Sequence, residues 1–119
     1  MRIVGISSIA AFIGDKTHTI YSASKAAMDG AVRCLAKELA EKNIGINTVA
    51  PAMINTDMYK GYISKNGKDS EAHKAIIDRQ YLGIGETFDV AAGIAFLLSP
   101  ASKFITGICL PIDGGATSS

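Results

Sequence analysis

The sequence is poor in cysteine and in net charge, and both shortages exclude classes of protein. Cys34 and Cys109 are far apart and neither belongs to a Cys-x-x-Cys pair, so we predict neither a disulfide framework nor a metal site. The 12 basic and 11 acidic side chains give a formal charge of +1 and form no basic patch for nucleic acid or an anionic membrane. Unpaired cysteines fit a cytoplasmic protein.

The sequence also offers no uninterrupted apolar run long enough to cross a membrane. The apolar stretch over residues 3–13 follows Met1 and Arg2 and superficially resembles a short secretory signal. Ser7 and Ser8 interrupt this stretch, and no convincing small-x-small cleavage site accompanies it. We therefore interpret it as a buried strand followed by a loop, and we expect no membrane partner.

The remaining pattern predicts a small α/β domain. The 119 residues, of which 48% are hydrophobic, can bury one modest core. A helix between the first two strands implies a crossover connection, and hence parallel pairing. Pro111 places the last strand at a sheet edge or a bulge. The predicted strands cover residues 2–7, 46–50 and 107–112, and the predicted helices cover residues 22–43 and 87–98.

Three local features accompany these elements. The first helix carries a stripe of small and apolar residues that we expect to face the sheet. Thr87 is the expected N-cap of the later helix, with Asp89 placed to favour its dipole. The polar segment 58–81 is expected to be a mobile substrate lid, with at least one helix capped by Ser70. The predicted stripe comprises Ala23, Ala27, Ala31 and Cys34, with Leu35 and Leu39 as further candidates.

Tyr21 and Lys25 form the first chemical signal. Their i, i+4 spacing places both side chains on one face of the first helix. A phenol titrates near pH 10, about three units above neutrality, so it needs a nearby positive charge to act as an acid–base group. The spacing alone is weak evidence, because a solvated lysine often lies beside a half-buried ring on ordinary helices.

Three further motifs strengthen the signal. Ser7-Ser8 ends the first strand, Asn-Thr-Val-Ala-Pro covers residues 47–51, and the sequence closes with Ile-Thr-Gly at 105–107 and Asp-Gly-Gly at 113–115. In this order the motifs resemble the short-chain dehydrogenases/reductases, and most closely their 3-oxoacyl-carrier-protein-reductase-like members. The resemblance covers essentially the whole chain. It implies hydride transfer between NAD or NADP and a carbonyl or alcohol, with a tyrosine exchanging the proton.

The resemblance assigns roles to individual residues. Ser8 would orient the substrate oxygen, Tyr21 would be the proton donor or acceptor, and Lys25 would assist Tyr21 electrostatically and bind the nicotinamide ribose. Met58 and Tyr59 would contact substrate. Tyr21 and Lys25 would also contact the cofactor, and the further cofactor-binding positions after the second strand would be Pro51, Ile54 and Thr56.

Glycine is missing at one position where the family usually has it, and a Gly-rich segment elsewhere resembles part of a dinucleotide-binding motif. The family usually has glycine directly after the proline, whereas this chain has Ala52, which would cost about 1–2 kcal/mol if the backbone there were left-handed. The Gly-rich segment 83–88 mimics part of a dinucleotide fingerprint, but its third glycine is missing and no strand precedes it. We interpret these glycines as turn residues.

The resemblance also implies a fold of which this sequence carries one part. We predict a single partial domain over residues 1–119, corresponding to the second half only of a doubly wound, Rossmann-like parallel sheet in three α/β/α layers. The Gly-rich phosphate loop, the residue that selects NAD or NADP and an additional catalytic asparagine have no counterpart here. The first strand is expected to expose an apolar edge, so the isolated chain should associate or aggregate and should not bind the cofactor measurably.

Two alternatives stay open at this stage. The chain could be a catalytically silent fragment that acts as an oligomerisation or interaction module. It could also be a non-redox binding protein that retains the scaffold, although the combination of Ser8, Tyr21 and Lys25 argues against this. The expected partners are a small carbonyl or alcohol substrate, an acyl thioester among the candidates, and further copies of the chain through the 22–43 helix and the C-terminal strand.

Overall fold

A computed structural model describes residues 1–118. Three strands form the sheet: β1 (Arg2–Ile6), β2 (Gly45–Pro51) and β3 (Cys109–Ile112). The four helices are α1 (Thr19–Ala40), α2 (Asp57–Asn66), α3 (Glu71–Arg79) and α4 (Thr87–Leu98), and two short 3₁₀ turns cover Ile9–Ala11 and Pro100–Ser102.

The sheet is parallel throughout, with the strand order β1-β2-β3. Ile3 lies opposite Ile46, and Val49 lies opposite Leu110. α1 connects β1 to β2, so the predicted strand-helix-strand crossover and its parallel pairing are confirmed. β3 lies at an edge of the described sheet, where Pro111 needs no donor for a further strand.

Helices cover both faces of the central strand. On one face, Ile46 clusters with Val32 and Ala36 of α1, and the Thr48 hydroxyl bonds to Asp29 of the same helix. The intervening residues Asn47 and Val49 point to the opposite face. They are also buried, and α4 contacts all three strands. The helices on both faces of the sheet account for the burial of β2 over residues 45–50.

The outer side of β1 is much less covered than β2. Ile3 and Ile6 are 40% and 45% exposed, whereas Val49 is fully buried. Within residues 1–118, β1 pairs only with β2, which leaves the hydrogen-bonding groups of its other edge without a strand partner. This geometry corresponds to the exposed apolar edge expected from the sequence.

The predicted buried stripe of α1 is wrong. Ala23, Ala27, Ala31 and Cys34 are all exposed, and Leu35 is 36% exposed. The buried residues of α1 are Asp29, Val32 and Ala36, with Leu39 partly buried against them. A polar residue occupies the inward face because two hydroxyl groups there hydrogen-bond to it.

Helix α1 is also shifted relative to its prediction. It begins at Thr19 and ends at Ala40, and Asn43 takes the left-handed conformation just beyond it. The chain can therefore turn into β2 within a few residues of the end of the helix.

The segment over residues 58–81 contains two helices. Thr56 caps α2 through the Tyr59 backbone N–H, and Ser70 caps α3 through the His73 N–H, which confirms the predicted Ser70 cap. For α4 the predicted bounds are correct but the predicted N-cap is wrong. Glu86 precedes the helix, and its N–H donates to the Asp89 carboxylate at 2.7 Å. No helix within residues 1–118 is long and apolar enough to cross a membrane.

Candidate active site

The end of β1 directs two adjacent serines to different neighbours. The Ser7 hydroxyl donates to Asp29 Oδ2 at 2.9 Å beneath the sheet. Ser8 has extended backbone dihedrals, lines a cleft, and accepts a hydrogen bond from Ala10 N–H at 3.1 Å. Because the Ser8 oxygen acts as an acceptor in that bond, its own O–H remains available to donate into the cleft.

Tyr21 and Lys25 meet the same end of β1 from the first two turns of α1. Lys25 Nζ lies 5.6 Å from the centre of the Tyr21 ring and donates to the Ile6 carbonyl oxygen at 2.9 Å. The Tyr21 side chain is 47% exposed and lines the cleft together with Ser8. A positively charged ammonium group thus stands beside the Tyr21 ring at the end of β1.

The cleft has a volume of about 220 Å³ and opens between β1, β2 and the α3 helix. Its walls are mainly apolar, as is usual for a small-molecule site, with a few polar groups that can orient a ligand. The lining residues besides Ser8 and Tyr21 are Ile9, Ala10, Ile13, Asp15, His18, Pro51, Ala52, Met53, Met58, Ile76, Arg79, Gln80 and Ala116.

The residues expected from the sequence to bind substrate or cofactor lie in several places. Pro51 and Met58 line the cleft, and Ile54 lines a second cavity of about 390 Å³ behind the same loop. Thr56 uses its hydroxyl to cap α2. The Tyr59 hydroxyl bonds to His73 Nε2 at 2.9 Å, and Tyr59 is not among the residues that line the cleft.

The backbone conformation shows what is required at Ala52 and in the Gly-rich segment. Ala52 does not take a left-handed conformation, so the alanine after Pro51 carries no backbone strain. Gly83 has a φ of +82°, as expected for a turn residue, and Gly85 pairs with Ile54 in an isolated parallel bridge. Residues 83–86 therefore form a turn that leads into α4, and residues 87–88 are the first residues of that helix.

Sequence reasoning missed Asp29 as a polar residue of the core. Its carboxylate accepts from Ser7 at 2.9 Å and from Thr48 Oγ1 at 2.7 Å, and the residue is only 6% exposed. One side chain of α1 thus bonds both to the residue that follows β1 and to the middle of β2. The signal available in the sequence was the spacing of Asp29 from Lys25, four residues along the same helix face.

Two further residues lie near the cleft, and no sequence motif indicates a role for either of them. His18 lines the cleft, with its ring edge toward Tyr21 and its Nδ1 3.8 Å from the Asp15 carboxylate. Gln80 is 4% exposed and bonds to the backbone of Met53. A lone histidine and a lone glutamine in polar segments have no spacing pattern that could have singled them out.

Two titratable groups near the sheet have shifted pKa values. Burial raises the pKa of the Cys109 thiol, and the Asp29 carboxylate adds to this effect, although a hydrogen bond with Thr48 opposes it. Partial burial also tends to raise the pKa of Asp113. Hydrogen bonds from Thr117 and from the Gly115 N–H outweigh this tendency and leave the Asp113 pKa below its ordinary value.

Comparison with known proteins decides the family. Residues 1–117 match the family described as enoyl-(acyl carrier protein) reductase. The chain belongs to the short-chain dehydrogenases/reductases. Its parallel sheet with helices on both faces is therefore part of a Rossmann-like fold, as predicted, and its resemblance to 3-oxoacyl-carrier-protein reductases is confirmed.

Individual members of the family show how much of it this chain covers. The human 3-oxoacyl-[acyl-carrier-protein] reductase is 41% identical over 113 residues, which are 95% of this chain and 44% of the relative. A blue fluorescent protein from a metagenomic library, solved in complex with NADPH, matches with 36% identity and a TM-score of 0.83 over 98% of this chain and 45% of that one.

A dehydrogenase solved with the other nicotinamide cofactor matches equally well. The 4-hydroxyisoleucine dehydrogenase complexed with NADH has 32% identity and a TM-score of 0.89 over 99% of this chain and 47% of that one. The chain thus spans less than half the length of the short-chain dehydrogenases/reductases compared above.

Proposed function

We propose that this short-chain dehydrogenase/reductase chain provides the proton-transfer half of an NAD(P)-dependent oxidoreductase. The observation that carries the proposal is the cleft at the end of β1. Ser8 and Tyr21 both line it, and Lys25 Nζ lies 5.6 Å from the Tyr21 ring centre. This supports the proposal because two hydroxyl groups share one cleft, an ammonium group lies beside one of them, and the cleft is large enough for a small carbonyl or alcohol.

Each group has a defined task in the proposed reaction. The Ser8 O–H donates to the substrate oxygen and fixes its position. Tyr21 gives its phenolic proton to that oxygen during reduction, or takes the proton from the hydroxyl during oxidation. Lys25 stabilises the negative charge that then develops on the phenol. A nicotinamide, when bound, supplies or accepts the hydride.

The residues at the end of β2 fit the nicotinamide side of such a cofactor. The loop over residues 51–56 follows the carboxyl end of a parallel strand, where ligands bind in open α/β sheets. We propose that Pro51, Ile54 and Thr56 contact the nicotinamide and that Lys25 binds its ribose. The phosphate-binding half of the site has no counterpart in these residues, so the proposal covers NAD and NADP alike.

The lining of the cleft sets the proposed substrate class. Its apolar wall, with Met58 and Ile76 from the α2 and α3 helices, suits an apolar chain attached to the reacting carbonyl. An acyl thioester is the finer proposal, since the human relative is a 3-oxoacyl-[acyl-carrier-protein] reductase. We propose that α2 and α3 together act as the substrate lid.

Association between copies is a second proposal with its own observations. The outward face of α1 is a row of small exposed residues, and the C-terminal strand β3 lies at an edge of the sheet within residues 1–118. Small side chains let two helices pack closely, so we propose homo-oligomers through α1 and the C-terminal strand. A cytoplasmic location is proposed because Cys34 and Cys109 are both free thiols.

The test of the proposed activity uses a complete enzyme, in which residues 1–119 are preceded by a dinucleotide-binding half from a continuous reading frame or a close relative. We expect this protein to oxidise NADH or NADPH in the presence of a 3-oxoacyl thioester. Y21F should lower kcat by about 10²–10⁴-fold, because it removes the proton donor, while cofactor binding persists.

Y81F is the matched control for that experiment, because Tyr81 is exposed and does not line the cleft. It should retain the parent rate. Full turnover in Y21F would refute the proposed proton donor. A complete enzyme that oligomerises but never turns over would favour the interaction module, and ligand binding unaffected by Y21F without any redox turnover would favour a non-redox binding protein.

A further inference from the structure

Gln80 is a buried side-chain amide that hydrogen-bonds to the backbone of the loop after β2. It follows directly after α3 and is 4% exposed. Its Oε1 accepts from Met53 N–H at 2.8 Å, and its Nε2 donates to the carbonyl oxygens of Met53 at 3.2 Å and of Gly83 at 2.9 Å. One side chain therefore satisfies both backbone polar groups of Met53 and ties them to the turn before α4.

The residues held by Gln80 belong to the loop that joins β2 to α2. Pro51, Ala52 and Met53 line the cleft that also contains Ser8 and Tyr21. Ile54, the next residue along, lines the second cavity. Gln80 borders both spaces, so its side chain stands in the wall that separates them.

Other hydrogen bonds join this loop to different parts of the fold. Gly85 N–H donates to the Met53 carbonyl at 3.2 Å, Asn55 N–H donates to the Gly85 carbonyl at 2.7 Å, and Ala52 N–H donates to the Ile112 carbonyl of β3 at 3.3 Å. Within residues 1–118, the hydrogen bonds between this loop and the end of α3 are those of Gln80. Gln80 therefore links the lid helices to the wall of the cleft.

The hydrogen-bond pattern requires an amide. A glutamate could accept from Met53 N–H, but it would place a second acceptor against two carbonyl oxygens, which repel it. A methionine would fill the same space and leave the Met53 N–H without an acceptor. Buried backbone groups without partners are costly, so either change should release the loop from this position.

We propose that Gln80 is a positioning residue for the nicotinamide-binding loop, which it holds through Met53 and couples to the lid. The inference rests on the proposed function, because it takes the loop over residues 51–56 to contact the nicotinamide. Gln80 itself touches neither substrate nor the reacting atoms in this proposal. Its loss should therefore weaken cofactor binding more than it changes proton transfer by Tyr21.

The experiment compares Q80M and Q80E with the parent complete enzyme, and N43D provides the matched amide-to-acid control. Asn43 is exposed beyond the end of α1 and lines neither the cleft nor the second cavity. The dissociation constant of NADH or NADPH is measured by fluorescence titration, which needs no turnover. Exchange of the Met53 amide hydrogen is measured without cofactor, and the pH profile of kcat is recorded alongside.

We expect Q80M and Q80E to weaken cofactor binding by about tenfold and to accelerate exchange at Met53, because the amide loses its partners. The pH profile should keep its shape, and N43D should match the parent in cofactor affinity and in exchange at Met53. Binding by Q80E should recover as pH falls, since a protonated carboxyl can again donate, whereas Q80M should not recover.

Two results would overturn the inference. Unchanged cofactor affinity in both folded variants would show that Gln80 does not position the loop. Equal losses in cofactor affinity, substrate affinity and thermal stability would show a general packing role. Failure of the proposed function is distinguishable, since it appears in the parent enzyme as absent cofactor binding or turnover, before any variant is compared.

Discussion

Replacing Asp29 by leucine tests how much of the fold depends on one buried carboxylate. In the structure, Asp29 accepts hydrogen bonds from Ser7 and Thr48, which are 3% and 0% exposed. Hydrogen bonds to a charged group contribute about 1.5–3 kcal/mol each, so the loss of both should lower the free energy of unfolding by about 3 kcal/mol or more. That is a large part of the about 5–15 kcal/mol that a typical domain has.

The assay is urea unfolding of the complete enzyme, followed by circular dichroism. D29N should cost less than D29L, because an amide still provides an acceptor and its donors can bond to a rotated hydroxyl. The triple variant S7A/D29L/T48V should recover part of the loss, since it removes the hydroxyl groups that D29L leaves unpaired. If D29L is as stable as the parent, or if the triple variant is less stable than D29L, the argument from unpaired hydroxyls is wrong.

Two further predictions follow from the shifted pKa values. N-ethylmaleimide should label exposed Cys34 much faster than Cys109 near neutral pH, because burial raises the pKa of the Cys109 thiol and shields it. Peptide mass spectrometry measures both labelling rates, and equal rates would contradict this prediction. D113N should lower the free energy of unfolding at neutral pH. The Asp113 pKa is depressed below 3.8, so its contribution is complete above that unfolded value and is lost as pH falls through the folded one. The stability difference between parent and D113N, measured by thermal melts, should therefore shrink in acid, and a constant difference would refute it.

The elements that sequence alone predicted well are those with a strong local signal. β1 and β2 are short runs rich in β-branched residues, and α4 has both an acidic first turn and a Pro100 beyond its end. The helices in the polar segment over residues 58–81 are harder to predict from the sequence. Its first helix depends on Thr56 as a cap, whereas the sequence motifs indicate that residue only as a cofactor contact.

The errors on α1 have a physical origin. Ala23, Ala27 and Ala31 lie on one helical face, but alanine is small enough to be exposed or buried at little cost, so its periodicity does not say which face is inward. The true inward face includes Asp29, which becomes acceptable only because strands distant in sequence bring hydroxyl groups to it. Such an arrangement cannot be derived from the helix by itself.

The residues of the candidate site also fall into two groups, those that the sequence indicates and those that it does not. Tyr21 and Lys25 are neighbours on one helix, so their spacing indicates them once the other family motifs are present. Ser8 is indicated because it follows a strand in the order that the family shows. Gln80 and His18 reach the cleft only through the path of the chain in three dimensions. Their neighbours in sequence are polar and exposed, and residues in such segments are ordinarily solvated.

The paired serines at the end of β1 have a consequence for any insertion or deletion in that strand. Successive side chains of an extended backbone point in opposite directions, so Ser7 serves the interior and Ser8 serves the cleft. Deleting one residue of the strand would turn Ser8 toward the helix and put Ile9 in the place of Ser8. A serine would then still face Asp29, but the hydroxyl that faces the cleft would be lost, so stability could survive a change that removes activity.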